Sequence, residues 1–298
     1  MRKPVIGLAL GSGGARGWCH IGVLRELTDM GLQPQVVAGS SMGALVGAAY
    51  AAGKLDALEE WARSLTLRTM MTVIDMRIGG GGLVSGQGIT SMLQDLGMPE
   101  QIRDLALPFI AVATDLRTGR EIWLRTGNTV DSVRASVSIP GLLRPKRLDD
   151  RWLIDGGTVN PVPVSAARAL GAEAVIAVNP NAAYSGAYWD PADTKLGLPD
   201  FTAMLPDRLK ALWGSDAPKD DISDHTEPSY VALITATIDI MSDQIRRSRL
   251  AGDPPQIMLD AHLGTITMVD FHHADTCIAE GRRIVREQAD GIAAQLKA

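Results

Sequence analysis

Gln35-Val36-Val37-Ala38-Gly39-Ser40-Ser41-Met42-Gly43-Ala44-Leu45-Val46-Gly47-Ala48-Ala49-Tyr50 decides the fold. Apolar β-branched residues lead into Gly39-Ser40-Ser41-Met42-Gly43, a Gly-x-Ser-x-Gly pentapeptide, and small residues of helical character follow. Strand, sharp turn and helix in that order make the context of a nucleophile elbow, where a serine sits in a strained turn with its hydroxyl over the sheet edge. Ser41 is the candidate nucleophile. Gly39 and Gly43 are the elbow glycines, because a side chain at either would crowd the neighbouring strand or helix. The N-terminus of the following helix adds amide donors for a developing oxyanion. Taken alone, the pentapeptide also fits a turn that uses glycine only for packing.

Upstream, Gly11-Ser12-Gly13-Gly14-Ala15-Arg16-Gly17 stands between a strand-like run and a helix-like one. Successive amides in such a loop form an anion-binding concavity. A dinucleotide site would need Gly-x-Gly-x-x-Gly register and an acid ending the next strand, but Arg16 follows the glycines and the second strand ends in Gly39-Ser40-Ser41. A Walker loop lacks its Lys-Ser/Thr pair. An oxyanion hole is the competing reading, since adjacent parallel strands would bring this loop and Ser41 to one sheet edge. Downstream, Trp152-Leu153-Ile154-Asp155-Gly156-Gly157 ends an apolar strand in an acid and two glycines. Alone, Asp155 reads as a turn aspartate; beside the other two motifs it reads as the general base for a serine hydroxyl.

Together these residues resemble the patatin-like phospholipases. Gly13-Gly14-Ala15-Arg16-Gly17, Gly39-Ser40-Ser41-Met42-Gly43 and Asp155-Gly156-Gly157 carry the likeness in order and spacing. Trp18-Cys19-His20-Ile21-Gly22-Val23-Leu24, Ala113-Thr114-Asp115-Leu116 and Ala135-Ser136-Val137-Ser138-Ile139-Pro140-Gly141 extend it over residues 5–180. Ala251-Gly252-Asp253-Pro254-Pro255 resembles the stand-alone bacterial branch related to neuropathy target esterase. The resemblance implies an α/β fold with a central, mostly parallel sheet flanked by helices, and a Ser-Asp dyad hydrolase acting on phospholipid or lysophospholipid acyl esters. It implies Ser41 as nucleophile, Asp155 as base, Gly156 and Gly157 as its motif partners, and an oxyanion hole over Ser12, Gly13, Gly14, Ala15, Arg16 and Gly17. Neither metal nor organic cofactor is implied. Ser12 stands where many members have a third glycine, a change that leaves the backbone donors in place.

With 298 residues, 46% hydrophobic composition and 21% charge, the chain can bury a full core. A net charge of −5 gives no electrostatic case for nucleic acid, whose partners carry a basic face. Cys19 and Cys277 belong to no ligand-spaced cluster, so neither a disulfide framework nor structural zinc is expected. The apolar run at residues 5–10 is broken at once by glycine and has no cleavage site, which makes it a first strand rather than a signal peptide. No stretch approaches the roughly 18 uninterrupted apolar residues of a membrane span. A soluble cytoplasmic protein with transient membrane-surface contact and a lipid ester substrate is the expectation.

Strand-like and helix-like runs alternate through the first 180 residues, the pattern of a mostly parallel sheet covered on both faces. Strands are expected at residues 5–10, 36–38, 109–114, 121–125, 152–154 and 174–178, and helices at 18–29, 42–53, 55–67 and 130–138. Gly79-Gly80-Gly81-Gly82 reads as a loop at the site mouth. Residues 181–228 shift toward Asp, Pro, Ser, Gly and Ala with little periodicity, and read as a flexible loop or lid. A helix at 230–250, short strands at 257–259 and 266–268, and a final helix at 271–296 follow. The expected organisation is one domain over 1–298, with a catalytic core at 5–180 and a C-terminal helical extension from 229 packing on it.

Other readings compete. An α/β-hydrolase triad would take Ser41, Asp155 and His262 in chain order, but that fold builds several strands before its elbow. Asp270, His272, His273 and Asp275 match no metal-ligand spacing, and Asp270 is placed to cap a helix. Arg144, Lys146 and Arg147 read as a solvated turn rather than a headgroup site. Arg246, Arg247 and Arg249 read as charge placed at a helix C-terminus. A non-catalytic lipid-binding scaffold would keep the same fold.

Overall fold

The computed structural model describes residues 4–66, 82–182 and 230–296. By compactness the chain divides into two units, Met1–Ser185 with Ile238–Ala298, and Gly186–Thr237. Of the second unit only residues 230–237 are described. Beyond Asn181 and Ala182, the expected loop or lid falls on residues outside the description, as do His225 and the first three of the four consecutive glycines.

In chain order the first unit runs β1 (Ile6–Leu10), a 3-10 turn (Gly14–Trp18), α1 (Cys19–Asp29), β2 (Val36–Ser40), α2 (Met42–Ala51) and α3 (Leu55–Ser64). Next come β3 (Gly82–Val84), α4 (Gln87–Asp95), β4 (Phe109–Asp115), β5 (Glu121–Leu124) and α5 (Thr129–Ser136). Then follow β6 (Gly141–Leu143), β7 (Lys146–Leu148), β8 (Arg151–Asp155), α6 (Val164–Ala169) and β9 (Ala174–Asn179). Helix α7 (Tyr230–Gly252) contributes its part from Ile238 onward, and β10 (Ile257–Asp260), α8 (Ala274–Glu287) and α9 (Ala289–Leu296) close the chain.

Strands β1, β2, β4 and β9 are buried on both faces along their whole length, which is why they read as continuous apolar runs rather than alternating ones. The main sheet runs β10-β9-β1-β2-β4-β8-β7, with β5 also on β4. From β10 to β4 every pairing is parallel; β5, β8 and β7 pair antiparallel.

β4 has three partners, and their registers fix the geometry of the molecule. β5 occupies one edge over Ala111–Thr114, so β2, which pairs up to Val112, and β8, which pairs from Ala113 onward, must share the other. They approach from opposite directions: Ser40 sits opposite Val112 and Asp155 opposite Ala113. The two strand ends abut.

The tail differs from a helical extension. β10 adds a parallel strand to the sheet, and α8 packs on α1 at backbone distance, a Cβ on Gly22 falling 1.9 Å from Ile278 O and one on Gly281 falling 2.0 Å from Cys19 O. Residues 266–268 do not form the expected strand, because their carbonyls serve the glycine-rich loop instead: Ala15 N donates to Met268 O, and Arg16 Nε to Ile266 O, each at 2.8 Å. The final helix breaks at Gln288, whose amide turns back to Val285 O. Asp270 caps no helix with its side chain; its Oδ2 accepts from both N and Oγ1 of Thr267 and closes a local turn.

Candidate active site

Ser41 leaves β2 at φ 55, ψ −123, a conformation that L-residues rarely adopt and that costs about 1–3 kcal/mol. The surroundings hold it there. Its amide donates to Ser136 Oγ at 3.0 Å, and Ser136 Oγ donates to Val112 O, the carbonyl at the junction of β2 and β8. Gly39 and Gly43 are required by space: a Cβ on Gly39 would fall 2.3 Å from Gly43 O, and one on Gly43 would fall 2.0 Å from Leu10 O. The elbow packs helix α2 directly against the ends of β1 and β2.

Because β8 meets β2 head-on, Asp155 arrives against the elbow. Ser41 Oγ donates to Asp155 Oδ2 at 2.5 Å, while Oδ1 accepts the Gly157 amide at 2.7 Å. Ser138 O accepts the Asp155 amide, and Thr114 Oγ1 donates to the Asp155 carbonyl. Gly156 lets the strand ends touch, since a Cβ there would lie 2.2 Å from Val112 O and 2.6 Å from Ser40 Oγ. Serine and aspartate are only 2% and 5% exposed. Burial pushes the Asp155 carboxyl up to about 7, against the opposing pull of its bonds from Ser41 and Gly157.

The glycine loop borders the same cavity, together with Ile139 and Pro140 after α5, Asn181 after β9, Ile238, Asp239 and Ser242 of α7, and Met268. Of the six residues expected to form an oxyanion hole, the structure engages several elsewhere. Ser12 N donates to Pro161 O and Ala15 N to Met268 O. The Arg16 guanidinium turns into the protein, and Gly17 makes room for Met42, whose Cβ would lie 2.4 Å from an added one. Gly13 and Gly14 line the cavity with Ser41, and their amides find no acceptor among the described residues. Gly14 has φ +54 and abuts Met268 O, so no side chain fits there.

A family model described as Patatin-like phospholipase matches residues 8–168, more than half the chain and a segment that includes both Ser41 and Asp155. The chain belongs to the patatin-like phospholipase family. An uncharacterized NTE family protein of Mycobacterium tuberculosis is 32% identical over 96% of this chain and 91% of its own. Patatin-like phospholipase domain-containing protein 6 of Homo sapiens is 35% identical over 58% of this chain, a span that makes up 13% of the human protein. VipD of Legionella pneumophila aligns over 98% of this chain and 77% of its own at 13% identity and a TM-score of 0.39. Membership implies a lipid ester hydrolase.

Within this patatin-like site one acidic residue escaped the sequence reading. Asp239 of α7 lines the cavity and receives Arg16 Nη2 at 2.8 Å, with the two side chains 1% and 3% exposed. Arg16 Nη1 also donates to Asn181 Oδ1 at 2.5 Å. One guanidinium therefore ties the glycine loop to α7, to the turn after β9 and to the loop after β10. Only the two-residue spacing Ile238–Ile240 and the lone acid between them could have drawn attention to Asp239, and neither points to an arginine 223 residues away.

None of the described histidines bonds to Ser41 or Asp155. His20 is fully buried, donates Nε2–H to Gly11 O at 2.8 Å, and has its pKa lowered to about 4 by desolvation, so it is a neutral brace for the loop. His262 gives its backbone amide to Glu280, and the rings of His272 and His273 touch each other at a tilt of 43°. Among the described residues no group of His, Cys, Asp and Glu is arranged to hold a metal ion.

Proposed function

We propose that this protein is a serine acyl hydrolase of phospholipid or lysophospholipid esters that works through a Ser41–Asp155 dyad. The observation that carries the reading is the 2.5 Å bond from Ser41 Oγ to Asp155 Oδ2 inside a buried cavity. Asp155 takes the hydroxyl proton as Ser41 Oγ attacks the acyl carbonyl carbon. The carbonyl oxygen becomes an oxyanion that the Gly13 and Gly14 amides are suited to receive. Collapse expels the alcohol, which leaves with the proton from Asp155, and water then hydrolyses the acyl-enzyme with Asp155 again as base. A carboxyl held up near neutrality is suited to both transfers.

Among the described residues no helix is long and apolar enough to cross a membrane. The reading places the enzyme in the cytoplasm, meeting its substrate at a lipid surface. Fluorophosphonate labelling followed by peptide mapping tests it. Ser41 is expected to carry the label and Ser41→Ala to abolish it, with turnover of a short ester falling by more than about 10⁴-fold, as for loss of a nucleophile elsewhere, while Ser40→Ala keeps both. Absence of labelling in the folded wild type would instead favour a lipid-binding scaffold.

A further inference from the structure

The strand that delivers Asp155 carries an exposed tryptophan, Trp152, at its second position. In the β7–β8 register Arg147 stands opposite Trp152, and the Leu116 amide donates to the Trp152 carbonyl at 2.8 Å, one residue beyond the Asp115–Leu153 pair. Cross-strand neighbours project to one face, so Arg147 of β7 and Trp152 of β8 stand side by side, with Leu116 of the turn after β4 continuing the row. Trp152 is 51% and Leu116 53% exposed. Beside them Arg151, Arg117 and Arg120 are exposed and form no ion pair among the described residues. Arg147 pairs with Asp150 of the hairpin turn, and Asp149 is the other acid there.

Two properties of this row set it apart from a solvated turn. The chain carries a net charge of −5, yet here four arginines face two aspartates around two large apolar side chains. Residues 113–115 of β4 run past its last pairing with β2, so the hairpin and the turn after β4 stand beyond the sheet edge that carries Ser41. Trp152 lies three residues from Asp155, about 10 Å along the strand at roughly 3.3 Å per residue. Tryptophan settles at the headgroup level of a bilayer, where its ring is half apolar and its N–H wet. Arginines there are drawn to anionic headgroups, each worth about fivefold in partitioning.

We propose that the Arg147–Trp152–Leu116 row with Arg117, Arg120 and Arg151 docks the enzyme on the surface of an anionic phospholipid bilayer. The docking serves the lipid hydrolase reading, because an ester held in a membrane must be met at its surface. The test is sedimentation of the full chain with vesicles of phosphatidylcholine alone or mixed with phosphatidylglycerol, at low and high salt. Wild type and Ser41→Ala are expected to bind the mixed vesicles at least about tenfold better than the neutral ones, with the preference weakened by salt. Trp152→Ala and the double variant Arg117→Gln/Arg151→Gln should each lose about tenfold or more of that binding. Both should hydrolyse a short soluble ester and take a fluorophosphonate within about twofold of wild type, rates that also report intact folding. Unchanged vesicle binding in both variants, or equal binding to neutral and anionic vesicles, overturns the proposal. So does a wild type that ignores vesicles but forms a dimer that Trp152→Ala dissolves, which would make the row a protein interface. Vesicle binding without ester hydrolysis would overturn the catalytic reading and leave docking standing.

Discussion

Arg16 and Asp239 meet across 2.8 Å in a pair almost wholly removed from solvent. Removing the carboxylate takes a charged partner from a buried guanidinium, a loss of up to about 3–5 kcal/mol for such pairs. Asp239→Ala should therefore lower unfolding free energy by that order in denaturant titration. Because Arg16 also fixes the turn after β9 and the loop after β10, the Gly13–Gly14 backbone should loosen with it. The expected result is a fall in kcat of more than about tenfold on a short ester, as for a donor that drifts from its position. A variant with wild-type stability would show that the pair holds nothing in place.

The Asp155 carboxyl sits near 7 because of burial, and only its ionised form is a base. Thus kcat/KM should rise with pH and level off above an apparent pKa of about 7. Stability should run the other way. The folded pKa lies above the unfolded one, so between about 4 and 7 the folded state binds more protons, and this group's contribution declines as pH rises through that window. Asp155→Asn, inactive, should then melt above the wild type at pH 8 and close to it near pH 4. A rate profile flat from pH 5 to 9 would remove Asp155 from the role of base.

Glycine substitutions should separate the elbow from the surface. Gly43→Ala places a methyl 2.0 Å from Leu10 O, a backbone atom that cannot step aside, and should prevent folding or cost several kcal/mol. Gly252→Ala, at the end of α7 with open space around it, should be neutral or stabilise by up to about 1 kcal/mol. Thermal melts of the two proteins provide the comparison.

None of the described histidines bonds to Asp155, so replacing His262, His272 or His273 by Gln should cost less than about tenfold in kcat, far from the roughly 10⁴-fold that loss of a triad base brings. The same bound is expected for His225. A single folded His→Gln variant as inactive as Ser41→Ala would restore the triad.

Most of the sheet was legible because β1, β2, β4 and β9 are uninterrupted apolar runs between turn glycines, and the elbow because Gly39 and Gly43 have no substitute at their contacts. What could not be read was long-range. The carbonyls of Ile266 and Met268 suggested a strand by composition, but tertiary demand from Ala15 and Arg16 overrode that propensity. The Ser12 and Ala15 amides are engaged by Pro161 and Met268, partners more than 140 residues away that nothing in the loop's own sequence points to. Asp239 looks like any acid on a helix until its partner is known.

Because β2 and β8 abut on one edge of β4, the spacing between hydroxyl and carboxylate is set by consecutive residues of a third strand, and the length of chain joining them does not enter. Connections on either side of β4 can grow or shrink at a closure cost of only about 0.6 kcal/mol per doubling of loop length. One residue inserted within Phe109–Asp115 would instead part the two strand ends and turn every later side chain to the opposite face. Seven residues that carry no reacting group thereby set the tolerance of the whole fold to change, and variation is steered into the loops.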